Sequence, residues 1–168
     1  MNNLPKIKTK VIEKAKMSDD MWELLFLFID EYVKMINSDE NIIREFNPSQ
    51  HTLLAFNYLY GEVCNGGFIQ LIQNGYGAYI FSSPFAETVK LWGAEKTASI
   101  VKRAKPIYDK YKERLETEVS MTDFSNLYSE ITDFEPFEDE FYKIMDGDTK
   151  KINNYVLEHI HEFAEATL

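Results

Sequence analysis

Residues 62–75 read EVCNGGFIQLIQNG, which sets two of the chain's seven glycines side by side, behind Glu62 and Asn65 and ahead of Phe68, Gln70 and Asn74. The fold turns on how this stretch is read. A phosphate-binding loop needs glycines spaced as GxGxxG, or as GxxxxGK followed by Ser or Thr, after a strand, with a lysine or a helix amino terminus facing the anion. No strand pattern precedes these glycines, no lysine lies between Lys34 and Lys90, and Glu62 would repel a phosphate. The residues instead predict a joint between two helices. Gly66 takes the left-handed conformation that ends the first helix, and Gly67 allows the backbone to approach closely as the second folds back. Phe68 plugs into the core. Glu62, Asn65, Gln70 and Asn74 are the residue types that satisfy backbone groups orphaned at such a joint, where an unsatisfied buried polar group costs about 1–3 kcal/mol.

Outward from the joint the chain is helical in pattern. Asn47-Pro48-Ser49-Gln50 carries a cap, a proline at the first helical position and a reciprocal capping residue, opening a helix that ends near Asn65. Earlier, Met21, Trp22, Leu25, Phe26, Ile29, Val33 and Ile36 recur at helical spacing behind Ser18 as cap. Beyond the joint, Ser83-Pro84 opens a short helix closed by Gly93, and residues 94–118 form a longer one bent at Pro106. Two shorter segments, FSNLYSEIT and PFEDEFYKIM, and a last helix from Asp148 complete the chain. Only KIKTKVIE, residues 6–13, alternates as a strand does, so residues 1–16 are an extended arm or a frayed helix. The expected fold class is all-α, one compact domain of roughly seven helices.

A chain of 168 residues with 45% hydrophobic and 14% aromatic side chains can bury its own core without metals or disulfides. The one cysteine, Cys64, excludes an intrachain disulfide and a zinc ribbon, and favours a reducing compartment. The longest apolar run, LLFLFI at 24–29, is far short of the ~20 residues that span a bilayer, and no signal-like stretch follows the first lysines. A cytoplasmic protein with no membrane partner is expected.

Net charge is −10, which at long range repels free nucleic acid. The charges fall in blocks. Residues 90–114 hold eight bases and three acids, while residues 115–149 hold eleven acids and one base, interleaved with Phe124, Tyr128, Phe134, Phe137, Phe141 and Tyr142. Carboxylates at i, i+3 and i+4 of a helix lie about 5–6 Å apart, comparable with the through-space spacing of phosphates that advance about 3.4 Å along the axis of one DNA strand. Helical acids here can therefore imitate a phosphate row, and Glu130, Asp133, Glu135, Glu138, Asp139 and Glu140 are the candidate partner-binding residues.

Other chemistries find little support. His159 and His161 lie on different helix faces, and His161-Glu162 does not continue as HExxH. Asp146-Gly147-Asp148 has its glycine second and Leu157 at position twelve, unlike a calcium loop, and reads as a turn and helix cap. His51 has no nucleophile at a recognisable spacing, and Cys64 reads as a packed thiol. No catalytic residue, metal or cofactor is assigned. An enzyme using Glu62, Asn65 and Gln70 in a cleft is the least favoured alternative; an immunity or inhibitor-type protein for a toxin or enzyme is the nearer one.

EVCNGGFIQLIQNGYG, followed by FAETVKLWGAEKTASIVKRA, resembles the bacterial DNA-mimic protein family across residues 48–110. The matching positions are Glu62, Asn65, Gly66, Gly67, Phe68, Gln70, Asn74, Gly75, Gly93, Ala94, Ala98 and Ala104; Leu71 and Ile72 stand where the family often has an aromatic. The resemblance implies an all-α, acidic, cytoplasmic bacterial protein whose partner is a DNA-binding or other basic protein. A member of the family is described as presenting DNA-like charge to a transcription regulator. With the charge argument above, no direct nucleic-acid binding is expected, and a homodimer stays open. The acidic surface is outside the motif, so no partner-contacting residue follows from the resemblance.

Overall fold

Asn47 and Gln50 close the reciprocal cap that their spacing predicts: the Gln50 amide donates to Asn47 Oδ1 at 2.8 Å and the Asn47 amide to Gln50 Oε1 at 3.0 Å. The helix they start, α3, runs Pro48–Gln73 with a break at Gly66 and Gly67. In a computed structural model describing residues 3–168, the chain is all-α. The other helices, in chain order, are α1 (Thr9–Lys16), α2 (Met21–Ser38), a 3-10 helix (Glu40–Glu45), α4 (Gly77–Phe81), α5 (Phe85–Leu91), α6 (Glu95–Leu115), α7 (Met121–Glu130), α8 (Glu135–Glu158) and α9 (Ile160–Phe163). That makes ten helical segments among the described residues, not roughly seven. The additional ones, α1, the 3-10 helix, α4 and α9, have four to eight residues each, too few for a 3.6-residue period to register.

Contacts divide the chain into residues up to 54 with 149–168, and residues 55–148. In the first unit α2 buries Leu24, Leu25, Phe28, Ile29 and Tyr32. Phe26 and Val33, predicted on the buried face, are exposed. LLFLFI is apolar on every side, so spacing alone leaves the buried face open; Tyr32 settles it by donating its hydroxyl to the Phe163 carbonyl at 2.8 Å. Asp20, not Ser18, caps α2, accepting from the Trp22 amide at 2.9 Å, while Ser18 Oγ accepts from the Asp20 amide. Of the predicted N-terminal arm, Met1 and Asn2 lie outside the described residues. Only Lys6–Lys8 is a strand, β1, and it pairs in parallel with β2 (Glu165–Thr167) in the register Ile7 to Ala166. From Thr9 the chain turns helical because Ile12 and Ala15, three apart, bury one face.

The second unit packs Phe68 at its centre, against Phe81 and Phe134 at ring-centroid distances of 5.8 and 5.5 Å. Phe81 stacks in turn on Tyr108 of α6. Pro106 sits on the exposed side of α6, inside the predicted long helix. Gly93 takes φ +93° just past α5, the C-terminal role expected of it. The α8 segment is continuous where a turn was expected at Asp146-Gly147-Asp148. Asp148 does act as a cap, but for another helix. Its carboxylate is buried and accepts from the Thr97 amide at 2.7 Å and the Thr97 hydroxyl at 2.8 Å. Ala94 precedes α6 without a capping side chain, so Asp148 fills from α8 the place an N-cap oxygen would take at the third helical residue.

Asp148→Ala strands two buried donors of Thr97 and removes this cap; a loss of about 2–4 kcal/mol in urea unfolding is expected. Asp148→Asn keeps an accepting oxygen and should lose less.

Candidate functional site

The break in α3 is a glycine joint held by hydrogen bonds from α7 and α8. Gly66 has φ −155° and ψ 21°, and Gly67 has φ +72° and ψ −171°. The positive φ thus belongs to Gly67, not to Gly66 as predicted, and both glycines admit close approach. A Cβ on Gly66 would overlap the Gln70 side chain, and one on Gly67 the Glu138 carboxylate. A helix that starts afresh at Phe68 needs its first amides satisfied. Glu138 Oε1 accepts from the Phe68 amide at 2.8 Å, so a second carboxylate of α8 caps a helix limb that lacks its own cap.

The limb that ends at the joint leaves carbonyls orphaned, and tyrosines take them. The Tyr142 hydroxyl donates to the Val63 carbonyl at 2.9 Å, and the Tyr128 hydroxyl to the Gly66 carbonyl at 2.7 Å. Glu62 Oε2 accepts from Gln70 Nε2 at 2.7 Å and Asn74 Nδ2 at 2.8 Å. In an unbroken helix Glu62 and Gln70 would stand about 12 Å apart along the axis; the joint brings them together. Asn65 is exposed and makes no side-chain hydrogen bond among the described residues. The joint thus unites Glu62 with Gln70 and Asn74, while Asn65 makes no side-chain hydrogen bond to any of them. Cys64 is exposed at 3.5 Å from the Met145 sulfur, and partial burial, with Asp146 nearby, pushes its thiol upward, away from reactivity.

The six candidate acids separate into three kinds: three paired with bases, one in the joint and two open. Glu140 pairs with Arg103 at 2.6 Å, Asp133 with Lys110 at 3.4 Å and the Tyr111 hydroxyl at 3.2 Å, and Glu130 with Arg114. Glu138 is half-buried in the joint. Glu135 and Asp139 are exposed and have no hydrogen bond or ion pair of their side chains among the described residues. On α8 they stand one turn apart and continue through exposed Tyr142 to Asp146, which accepts from the Tyr60 hydroxyl at 3.1 Å. The spacing 135, 139, 142, 146 keeps these residues on one helix face.

The sequence held no sign that Glu138, Tyr128 and Tyr142 belong to the joint. They lie more than sixty residues from it along the chain, and no local spacing encodes such a contact.

Burial raises the Glu138 carboxyl above its ordinary value of 4.5; the Phe68 amide counters this, and Glu135 and Asp139 reinforce it. Tyr128 and Tyr142 are raised by burial and then by Glu138. A raised folded-state value means that the folded protein holds the proton more tightly than the unfolded chain, so this group's contribution to stability falls as pH rises above 4.5. Glu138→Gln keeps an oxygen for the Phe68 amide and should flatten that part of the stability profile, read from urea midpoints between pH 4 and 7. Gly67→Ala meets both a positive φ and the Glu138 carboxylate, and a loss of about 2–4 kcal/mol is expected by the same measurement.

A family model described as DMP19-like protein matches residues 44–159. The DNA mimic protein DMP19 of Neisseria meningitidis serogroup B (strain ATCC BAA-335 / MC58) is 28% identical over 143 residues, covering 84% of this chain and 87% of that protein. The joint, its capping carboxylate and both tyrosines fall inside the matched span. The chain belongs to the family of DMP19-like proteins.

Proposed function

We propose that this protein is a non-enzymatic DNA mimic of the cytoplasm, whose acidic helix α8 occupies the basic surface of a DNA-binding protein such as a transcription regulator. The family membership supports the general role, and the DNA mimic name of its Neisseria relative supports the kind of partner. The observation that carries the reading to particular residues is the outward row Glu135, Asp139 and Asp146. From Glu135 to Asp146 the row runs about 16 Å along the helix, roughly half a turn of duplex. The exposed rings of Tyr128 and Tyr142 border it, and such rings are favoured at interface centres. No helix of the described residues is long and apolar enough to cross a membrane.

The acids of this row act through long-range attraction to lysine and arginine on the partner, so the complex weakens as salt screens the charges. The test is affinity capture from an extract of the source organism. DNA-binding proteins should be retained at about 50 mM salt and released by about 300 mM, given a screening length that shrinks steadily over this range. The double reversal Glu135→Lys with Asp139→Lys should cut retention by roughly tenfold or more. A control of equal charge change, Asp30→Lys with Glu158→Lys, should retain the partner nearly as the parent does. Retention that survives both salt and the Glu135/Asp139 reversal overturns the proposal.

A further inference from the structure

The basic block of α6 faces its own acids. Arg103, Lys110 and Arg114 stand at i, i+7 and i+11, one face of the helix. They meet Glu140, Asp133 and Glu130 in reverse order along the chain, with Arg103 to Glu140 at 2.6 Å, Lys110 to Asp133 at 3.4 Å and Arg114 to Glu130. The pairing is antiparallel, and the bases are held in place by more than charge. Arg103 Nε donates to Ser99 Oγ at 3.1 Å, and its guanidinium lies 5.4 Å from the Phe137 ring centroid. Lys110 Nζ sits 4.5 Å from the Tyr111 ring centroid, and the Tyr111 hydroxyl donates to the same Asp133 oxygen that pairs with Lys110. These extra contacts reduce the freedom Arg103 and Lys110 would regain by leaving their acids.

From this arrangement we propose that Arg103, Lys110 and Arg114 are specificity-determining residues: they withdraw Glu140, Asp133 and Glu130 from any basic partner and confine the offered charge to the Glu135–Asp139–Asp146 row. The inference rests on the proposed binding of a basic protein surface. Lys102 and Lys105 have other partners, Glu87 and Asp109, and Lys112 also reaches Asp109. Lys90, Lys96 and Lys143 are exposed and pair with no acid among the described residues. These nine bases thus fall into three that mask acids of α7, α8 and the residues between them, three that pair with Glu87 or Asp109, and three that pair with no acid among the described residues. A partner must present its cations at the spacing of the open row, because the neighbouring carboxylates are already answered. A continuous acidic surface would accept any cationic protein, whereas a masked one discriminates by position.

The test uses the full chain with a decalysine peptide as probe, measured by calorimetry at about 50 mM salt. The variant Arg103→Gln, Lys110→Gln, Arg114→Gln opens the pairs. The variant Lys90→Gln, Lys96→Gln, Lys143→Gln removes the same charge and opens none. Exposed pairs are each worth a factor of about 1.5 to 5, so the first variant should bind decalysine on the order of tenfold more tightly than the second. Equal affinities of the two variants overturn the proposal, since net charge alone then explains the change. A second measurement does not depend on that triple variant's folding. Glu130→Gln, Asp133→Asn, Glu140→Gln in the parent chain should weaken decalysine binding less than Glu135→Gln, Asp139→Asn, Asp146→Asn, which removes the same charge from the open row, because masked acids contribute little; an equal or greater loss from the masked acids overturns the proposal. Loss of binding on reversing Glu135 and Asp139, together with equal affinities of the two base variants, would sink the masking and leave the proposed function standing. The converse pattern would sink the open row and leave the masking standing.

Discussion

Among the helix limbs that begin without a capping side chain of their own, two take one from α8. Phe68 starts the second limb of α3 behind two glycines, and Glu95 starts α6 behind Gly93 and Ala94, none of which carries an oxygen to offer. An N-terminus buried in that condition would leave its first amides unpaired. Glu138 and Asp148, ten residues apart on α8, accept from the Phe68 and Thr97 amides. The placement of α8 within its unit is therefore tied to the polar ends of two other elements as well as to apolar packing around Phe134 and Phe141. A shift of one residue along α8 would move both carboxylates out of reach at once.

This dependence explains how the chain keeps an acid-rich helix in place. A run of eleven acids in thirty-five residues repels itself, and repulsion favours unfolding. Five of those acids meet a helix amide or a base inside the fold. Glu138 and Asp148 cap, and Glu130, Asp133 and Glu140 meet the bases of α6. The block of bases that makes the chain less uniformly acidic than a simple phosphate imitation is the counterpart of this folded acidity. The sequence showed the blocks. Their pairing depends on which faces of α6, α7 and α8 meet, and that is a tertiary fact.

The legible part of the fold lay where local chemistry is strong. The Asn47–Gln50 cap, Gly93 past α5, the buried Phe68 and the change of direction at residues 66–67 are each dictated within a few residues. The parts that the sequence concealed share one cause. The short helices have too few residues for a period, β1 has its partner about 160 residues away, and the face of α2 is ambiguous because LLFLFI is apolar all round. The same cause hid half of the candidate site. Glu62, Gln70 and Asn74 stand close enough in sequence for a joint to unite them, whereas Glu138 looked like its acidic neighbours until its carboxylate was placed against the Phe68 amide.

That placement ties the joint to the acidic surface. On a helix, residue 138 is separated by three positions from 135 and by one from 139, so a side chain fixed inward at 138 fixes the directions of both neighbours. Glu138 is fixed by the Phe68 amide on one side and the missing Cβ of Gly67 on the other. Tyr142, one turn on, is fixed by the Val63 carbonyl at the other lip of the joint. Glu135 and Asp139 consequently project from a helix whose rotation is set by the glycine pair, and their separation is held to one helical turn. A floppy acidic segment could meet a basic surface only by losing conformational freedom on contact. Here the order is already built into the fold, through two glycines that leave room for one carboxylate.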